Sequence, residues 1–151
     1  MAGYGIGLIG REERNVDKKG RIFLPAKFRK RLPDGERDVF VVTPGLDRCL
    51  YVYPLSAWMR FQEKLRGLSI WDRRSRAVYR RMIDKAEEVH LDSQGRMLVP
   101  RRLLRLVGIS NEVIIIGALD WLEVWDPAIY RSVEEEDERI VNEEDLGELL
   151  R

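Results

Sequence analysis

Four cationic side chains, Arg14, Lys18, Lys19 and Arg21, fall within eight residues of this chain. Their types divide the chemistry such a cluster could do. An arginine guanidinium is a planar fork of donors matching guanine O6 and N7, a contact worth ~1–3 kcal/mol of discrimination. A lysine ammonium is a compact charge suited to positioning against phosphate. Arg14 lies on an incoming strand, and the other three lie at or just past a turn, Val16-Asp17-Lys18-Lys19-Gly20-Arg21. Gly20 supplies the positive φ that a tight hairpin needs. Asp17 offers carboxylate oxygens to the turn amides, as in an Asx turn. Both shape the loop rather than touch a ligand. A two-stranded basic arm has the width a DNA major groove admits. On spacing alone, an exposed polar hairpin accounts for the same residues equally well.

The turn occurs twice. Val16 to Pro25 aligns with Leu91 to Pro100 at an offset of 75, with Asp, Gly, Arg and Pro repeated and every apolar position still apolar. In the second copy Ser93 and Gln94 replace the lysines between Asp92 and Gly95, the loop-shaping pair, so Arg96 stands nearly alone. Arg96 has two readings, a weaker ligand contact or an internal ion pair with Asp92. The first copy is expected to make the stronger contact.

The elements that must carry these turns repeat as well. Val39-Phe40-Val41-Val42 answers Val113-Ile114-Ile115-Ile116, and Leu50-Tyr51-Val52-Tyr53 answers Leu122-Glu123-Val124-Trp125. Such β-branched and aromatic runs are strands. Asp47 and Asp120 precede the second strand in each copy. Pro25 and Pro100 suit the first turn of a short helix, where a missing N–H is harmless. Between the copies, Trp58, Phe61, Leu65 and Leu68 make one amphipathic stripe. A second helix, capped by Asp72, carries Val78, Met82 and Ala86, and Gly67 to Trp71 separates the two. Asp126-Pro127 starts a further helix. The division expected is a first module at 11–57, a helical linker at 58–85, a second module at 86–129 and an acidic tail at 130–151.

Composition bounds the function. At 44% hydrophobic the chain can bury a core, and at 35% charged its surface must be largely ionic. Residues 131–151 hold three Arg against nine Asp and Glu, a net −6, while the rest is +7. A basic body with an acidic tail suits a polyanion binder. The single cysteine, Cys49, forms no internal disulfide and reads as a small buried hydrophobe in a reducing, cytoplasmic compartment. The longest strongly apolar run, Val113 to Leu119, is too short to span a bilayer. The first ten residues lack the basic n-region and cleavage pattern of a signal peptide.

The motif V-D-x-x-G-R-I-x-L-P-x-x-F-R at Val16 to Arg29 resembles the signature of the AbrB-type swapped-hairpin domain. Two such copies joined by a helical hairpin resemble the MraZ family. Leu8-Ile9-Gly10, Tyr53-Pro54-Leu55, Asp92 to Arg96 and Leu122 to Asp126 extend the resemblance over roughly residues 8–146. It implies an α+β, mainly β fold: two pseudo-twofold-related swapped-hairpin modules forming one small double-ψ-like barrel within a single chain. It further implies a non-enzymatic, sequence-specific transcriptional regulator associated with the nucleoid. Such a protein binds short direct repeats in double-stranded DNA upstream of the division and cell-wall gene cluster, including its own gene. Its subunits form a homo-oligomer, a ring, with no cofactor, metal, membrane or small-molecule substrate. The DNA contacts implied are Arg14, Lys18, Lys19, Arg21 and Arg96. An antitoxin-like interaction module with the same fold and no operator is the competing class, and an enzyme the third.

Other motifs carry less. Gly5-Ile6-Gly7-Leu8-Ile9-Gly10 spells a nucleotide-binding pattern, but no strand precedes it and no helix follows, so a flexible terminal segment is expected. Arg73, Arg76 and Arg80 share a helix face. That face reads as a solvated surface, an ion-paired contact with the acidic tail or a neighbouring subunit, or a second DNA contact. His90 has no Cys or His partner at metal-binding spacing. Trp58, Trp121 and Trp125 fall on core or interface stripes.

Overall fold

The computed structural model describes residues 5–36 and 38–151. Each half repeats one order: strand, turn, short strand, short helix, two strands. In the first half these are β1 (Arg11–Asn15), β2 (Arg21–Phe23), α1 (Ala26–Arg29), β3 (Val39–Pro44) and β4 (Leu50–Pro54). The second half has β5 (Glu87–His90), β6 (Arg96–Leu98), α4 (Arg101–Leu106), β7 (Glu112–Gly117) and β8 (Leu122–Trp125). Helices α2 (Leu55–Arg66) and α3 (Arg73–Ile83) join the halves, and α5 (Pro127–Ile140) and α6 (Glu143–Leu149) follow them.

The halves exchange strands. One antiparallel sheet has the order β1-β7-β8-β4-β3-β5, so β1 of the first half lies on β7 of the second, and β5 lies on β3. The exchange is reciprocal beyond the ladders: Val16 N–H donates to Asn111 O at 2.7 Å, and Leu91 N–H to Asp38 O at 2.9 Å. The short strands β2 and β6 form a separate two-stranded ribbon. Single bridges, Val16–Ile22 and Leu91–Met97, tie β1 and β5 to that ribbon. The ladders themselves end on β1 and β5, so the expected small barrel takes the form of an open six-stranded sheet with a ribbon beside it. Likewise the basic hairpin arm expected from β1 and β2 is not a ladder of its own, because β1 is engaged with β7 and β2 with β6.

Period-2 alternation sorts each strand between two cores. Phe40, Val42, Leu50, Val52, Val113, Ile115, Leu122 and Val124 face one cluster with Ile22, Phe28 and Met97. Val41, Tyr51, Tyr53 and Trp125 face the other, with Trp58 and Phe61 of α2 and Ile129, Tyr130 and Val133 of α5. Burial on both faces explains why these strands read as continuous apolar runs. Each fully buried large side chain contributes on the order of 1.5–3 kcal/mol.

The helix starts follow their caps. Asp72 accepts from Arg74 N–H, and Asp126 accepts from Ala128 and Ile129 N–H with Pro127 in the first turn. The acidic tail is two helices, α5 and α6, the latter opened by an Asn142–Asp145 capping box. Residues 5–10 are not a loose end. Ile6 N–H donates to Asp120 Oδ1 at 2.9 Å, and the buried Leu8 exchanges hydrogen bonds with Leu119. Gly117 permits this, because a Cβ there would lie 2.4 Å from Ile9 N. Apolar Leu8 and the fixed acceptor at Asp120 outweigh the flexibility of the glycines around them. Met1 to Tyr4 lie outside the described residues.

Candidate nucleic-acid interface

The two turns are built by one carboxylate each. Asp17 Oδ1 accepts from Lys19 N–H at 2.9 Å and Arg21 N–H at 2.8 Å, and Oδ2 accepts from Arg21 Nε at 2.6 Å. Asp92 repeats the pattern with Gln94 N–H at 2.9 Å, Arg96 N–H at 3.0 Å and Arg96 Nε at 2.8 Å. The Arg21 backbone N–H, joined by its guanidinium and the Lys19 N–H, holds the Asp17 carboxyl down at about 2. Asp92 is lowered by the same arrangement around Arg96. Gly20 and Gly95 take φ of +92° and +80°, where a Cβ is disfavoured.

Each turn leans on the other half. Leu24 N–H donates to Gly95 O, and Val99 N–H to Gly20 O, both at 3.0 Å. Beneath Gly20 lies Leu104, and beneath Gly95 lies Arg29, the residue at the equivalent place in the first copy. The Arg29 Nε is buried with no hydrogen-bond partner among the described residues.

The ribbon sets what faces outward. Ile22 and Met97 pair with each other and are wholly buried. Their neighbours Arg21, Phe23, Arg96 and Leu98 therefore share the opposite, solvent face. Phe23 and Leu98 are about half exposed there, at 48% and 55%. The Arg96 guanidinium lies over the Phe23 ring, 5.9 Å from its centroid, so the halves also touch on the outer face.

Lys18, Lys19, Arg21, Arg96 and Asp92 converge with His90, Leu98 and Arg101 on one open depression of about 690 Å³. Lys18 and Lys19 are exposed. Among the described residues, neither terminal nitrogen of Arg21 makes a hydrogen bond; the carboxylate holds only Nε. The guanidinium thus presents its end-on fork outward from a braced position. Arg96 is braced identically, so the internal ion pair with Asp92 is present and leaves the same fork available.

Arg14 is not brought to this surface. It donates to Glu13 O at 2.7 Å, pairs with Glu12 at 3.3 Å, and lines a different depression with Glu112 and Arg131. The structure adds Phe23, Leu98, His90 and Arg101 to the shared surface. The alternation R-x-F and R-x-L was a signal for the first two; the others become neighbours only through strand exchange.

No grouping of three or more His, Cys, Asp and Glu that could hold a metal occurs among the described residues. Cys49 is buried, and that burial pushes its thiol well above the usual range. No helix of the described residues is long and apolar enough to cross a membrane.

Two tandem copies of one β module, exchanging strands around a shared ribbon, define a duplicated, mainly β protein. The chain belongs to the MraZ family. The family model described as "MraZ protein, putative antitoxin-like" matches it twice, at residues 8–81 and 82–150. Curated relatives named "Transcriptional regulator MraZ" agree. The Clostridium acetobutylicum protein is 44% identical over 117 residues, 78% of this chain and 80% of that one. The Acetivibrio thermocellus protein is 42% identical over 123 residues, 82% and 83% of the two chains. The Pediococcus pentosaceus protein is 37% identical over 142 residues, 94% and 95%.

Proposed function

We propose that this chain is a sequence-specific DNA-binding transcriptional regulator and acts by binding rather than catalysis. The observation that carries this reading is the outward ribbon face. It places two braced arginines at the two ends of one diagonal of the ribbon, with Lys18, Lys19 and Arg101 around them. A two-stranded ribbon fits the major groove. Arg21 and Arg96 read guanine edges, Lys18 and Lys19 hold phosphates, and exposed Phe23 and Leu98 offer apolar contact of the kind that thymine methyls take. Asp17, Gly20, Asp92 and Gly95 fix loop shape. Arg14, turned toward Glu12 and Glu13, is at most a peripheral backbone contact.

The name the relatives share, transcriptional regulator, supports regulation of transcription. The binding sites proposed are short direct repeats upstream of the division and cell-wall gene cluster, including the protein's own gene, in the nucleoid. One three-residue ribbon offers few contacts, so a homo-oligomeric ring presenting several ribbons to repeated boxes gains affinity through effective concentration. The two modules are proposed to close as a swapped-hairpin barrel, with the bridges Val16–Ile22 and Leu91–Met97 marking the seam.

The test is a gel shift with the DNA upstream of this protein's own gene, comparing wild type with Arg21→Ala at matched salt. Equal affinity would remove the assigned role. No shift by the wild type at all would favour the antitoxin-like interaction module.

A further inference from the structure

The two ribbon arginines are braced alike and backed differently. Arg21 pairs across the ribbon with Leu98, and Arg96 pairs with Phe23. Positions 23 and 98 are the same place in the two copies, at the offset of 75. One arginine therefore has a branched aliphatic neighbour and the other a flat aromatic ring. Of the two, only Arg96 stands over a ring among the described residues, with its guanidinium carbon 5.9 Å from the Phe23 centroid. Its side chain is also the more covered, 20% exposed against 30% for Arg21. Core packing does not account for that ring. Phe23 is half exposed, and neither hydrophobic core includes it.

A ring at that place supplies what the carboxylate leaves open. Asp92 Oδ2 holds the Arg96 guanidinium at Nε alone, at 2.8 Å. A single hydrogen bond is a pivot about which the guanidinium plane can turn. A bidentate contact with guanine O6 and N7 needs both terminal nitrogens in the base plane. The face of an aromatic ring attracts a guanidinium and stacks with it. Bond and ring together restrict position and plane before DNA arrives, which lowers the ordering cost of binding. Arg96 has the greater need, since Ser93 and Gln94 leave its turn without the ammonium groups of Lys18 and Lys19. Arg96 and Leu98 line the basic depression, and Phe23 is not among its lining residues. The ring thus backs the arginine from outside the depression, and the half of it still exposed remains available for apolar contact.

We propose that Phe23 of the first copy is the positioning residue for Arg96 of the second. Its ring presets the guanidinium plane and so sets how sharply the second turn discriminates guanine. The two halves are then coupled in recognition as well as in folding, because a residue of one module tunes the base contact of the other. The inference rests on the DNA-binding reading above and assigns one residue's part in it.

The test is a double-mutant cycle on the full chain: wild type, Phe23→Leu, Arg96→Ala and both together. Leucine is the residue at the matching place in the second copy, and circular dichroism checks the fold. Fluorescence anisotropy gives the affinity for a duplex from upstream of the protein's own gene and for a scrambled duplex, at several salt concentrations. Phe23→Leu is expected to lower the ratio of the two affinities by about 2- to 5-fold per binding box, the size of one exposed cation–π contact. That loss is counted beyond any it causes in the Arg96→Ala background. Phe23→Tyr keeps the ring and is expected to keep the ratio. The slope of log affinity against log salt is expected to stay unchanged in Phe23→Leu, because no phosphate contact is lost. Equal losses with and without Arg96 overturn the positioning role and leave the DNA-binding reading standing. An unchanged ratio in Phe23→Leu, a shallower slope, or a Phe23→Tyr variant that behaves like Phe23→Leu does the same. A wild type that binds both duplexes equally overturns both.

Discussion

Ile22 and Met97 face each other across the β2–β6 ribbon, each meeting its own counterpart from the other copy. On either side the pairs are crossed: Arg21 meets Leu98 and Phe23 meets Arg96. The internal pseudo-twofold axis therefore passes between Ile22 and Met97. Because both are buried, the arginine of each turn is driven to the same outer face, at opposite ends of one diagonal of the ribbon. A duplicated sequence has been folded into a single two-armed surface.

Arg21→Ala removes the outward fork and leaves the core untouched. The expected loss of specific affinity is about 5- to 150-fold per binding box, equivalent to ~1–3 kcal/mol. Arg96→Ala should lose less, since Ser93 and Gln94 give its turn no flanking charge. Fluorescence anisotropy on operator and scrambled duplexes at one salt concentration separates the two.

Replacing Lys18 and Lys19 together by Ala should weaken binding to both duplexes alike. If each lysine neutralises one phosphate, the slope of log affinity against log salt becomes shallower by roughly 2. An unchanged slope with altered discrimination between duplexes would instead place these lysines on base edges.

The two turn glycines should respond unequally to alanine. Both have positive φ, a strain of on the order of 1–3 kcal/mol for a residue with a Cβ. At Gly20 the new methyl also meets the Val99 backbone oxygen at 2.9 Å, on a backbone tied to this turn by the Val99 N–H bond to Gly20 O. At Gly95 it meets the end of the Arg29 side chain at 2.6 Å, which can swing away. Urea unfolding should show Gly20→Ala to be the more destabilising by about 1 kcal/mol or more.

The Asp17 carboxyl sits at about 2 in the folded chain, below its ordinary 3.8. A lowered folded value means that its stabilising bonds are fully present above the ordinary value and lost as pH falls through about 2. Carboxyl-carbon NMR should find the Asp17 midpoint near 2, with the Lys19 and Arg21 amides moving in step. A midpoint at 3.8 would mean that the carboxylate does not brace the turn.

Local chemistry was legible in the residues themselves. The D-x-x-G-R spacing announced both turns, because an Asp acceptor and a positive-φ glycine act within five residues. The caps at Asp72 and Asp126 and the β-branched strands were equally readable. The one local reading that failed, a loose segment at residues 5–10, failed because its anchor lies at Asp120 and Leu119, over a hundred residues away.

Partnership between strands was decided only in three dimensions. Spacing along the chain suggested a hairpin arm from β1 and β2, yet each of those strands is longer paired with the other half. That exchange brings His90 and Arg101 beside Lys18 and Lys19 and turns Arg14 away. The sequence by itself determined which residues could bend, bury or bind. Tertiary structure decided which of them meet, since a backbone ladder pairs whichever strands bury the most apolar surface together, and no side chain encodes its partner's number.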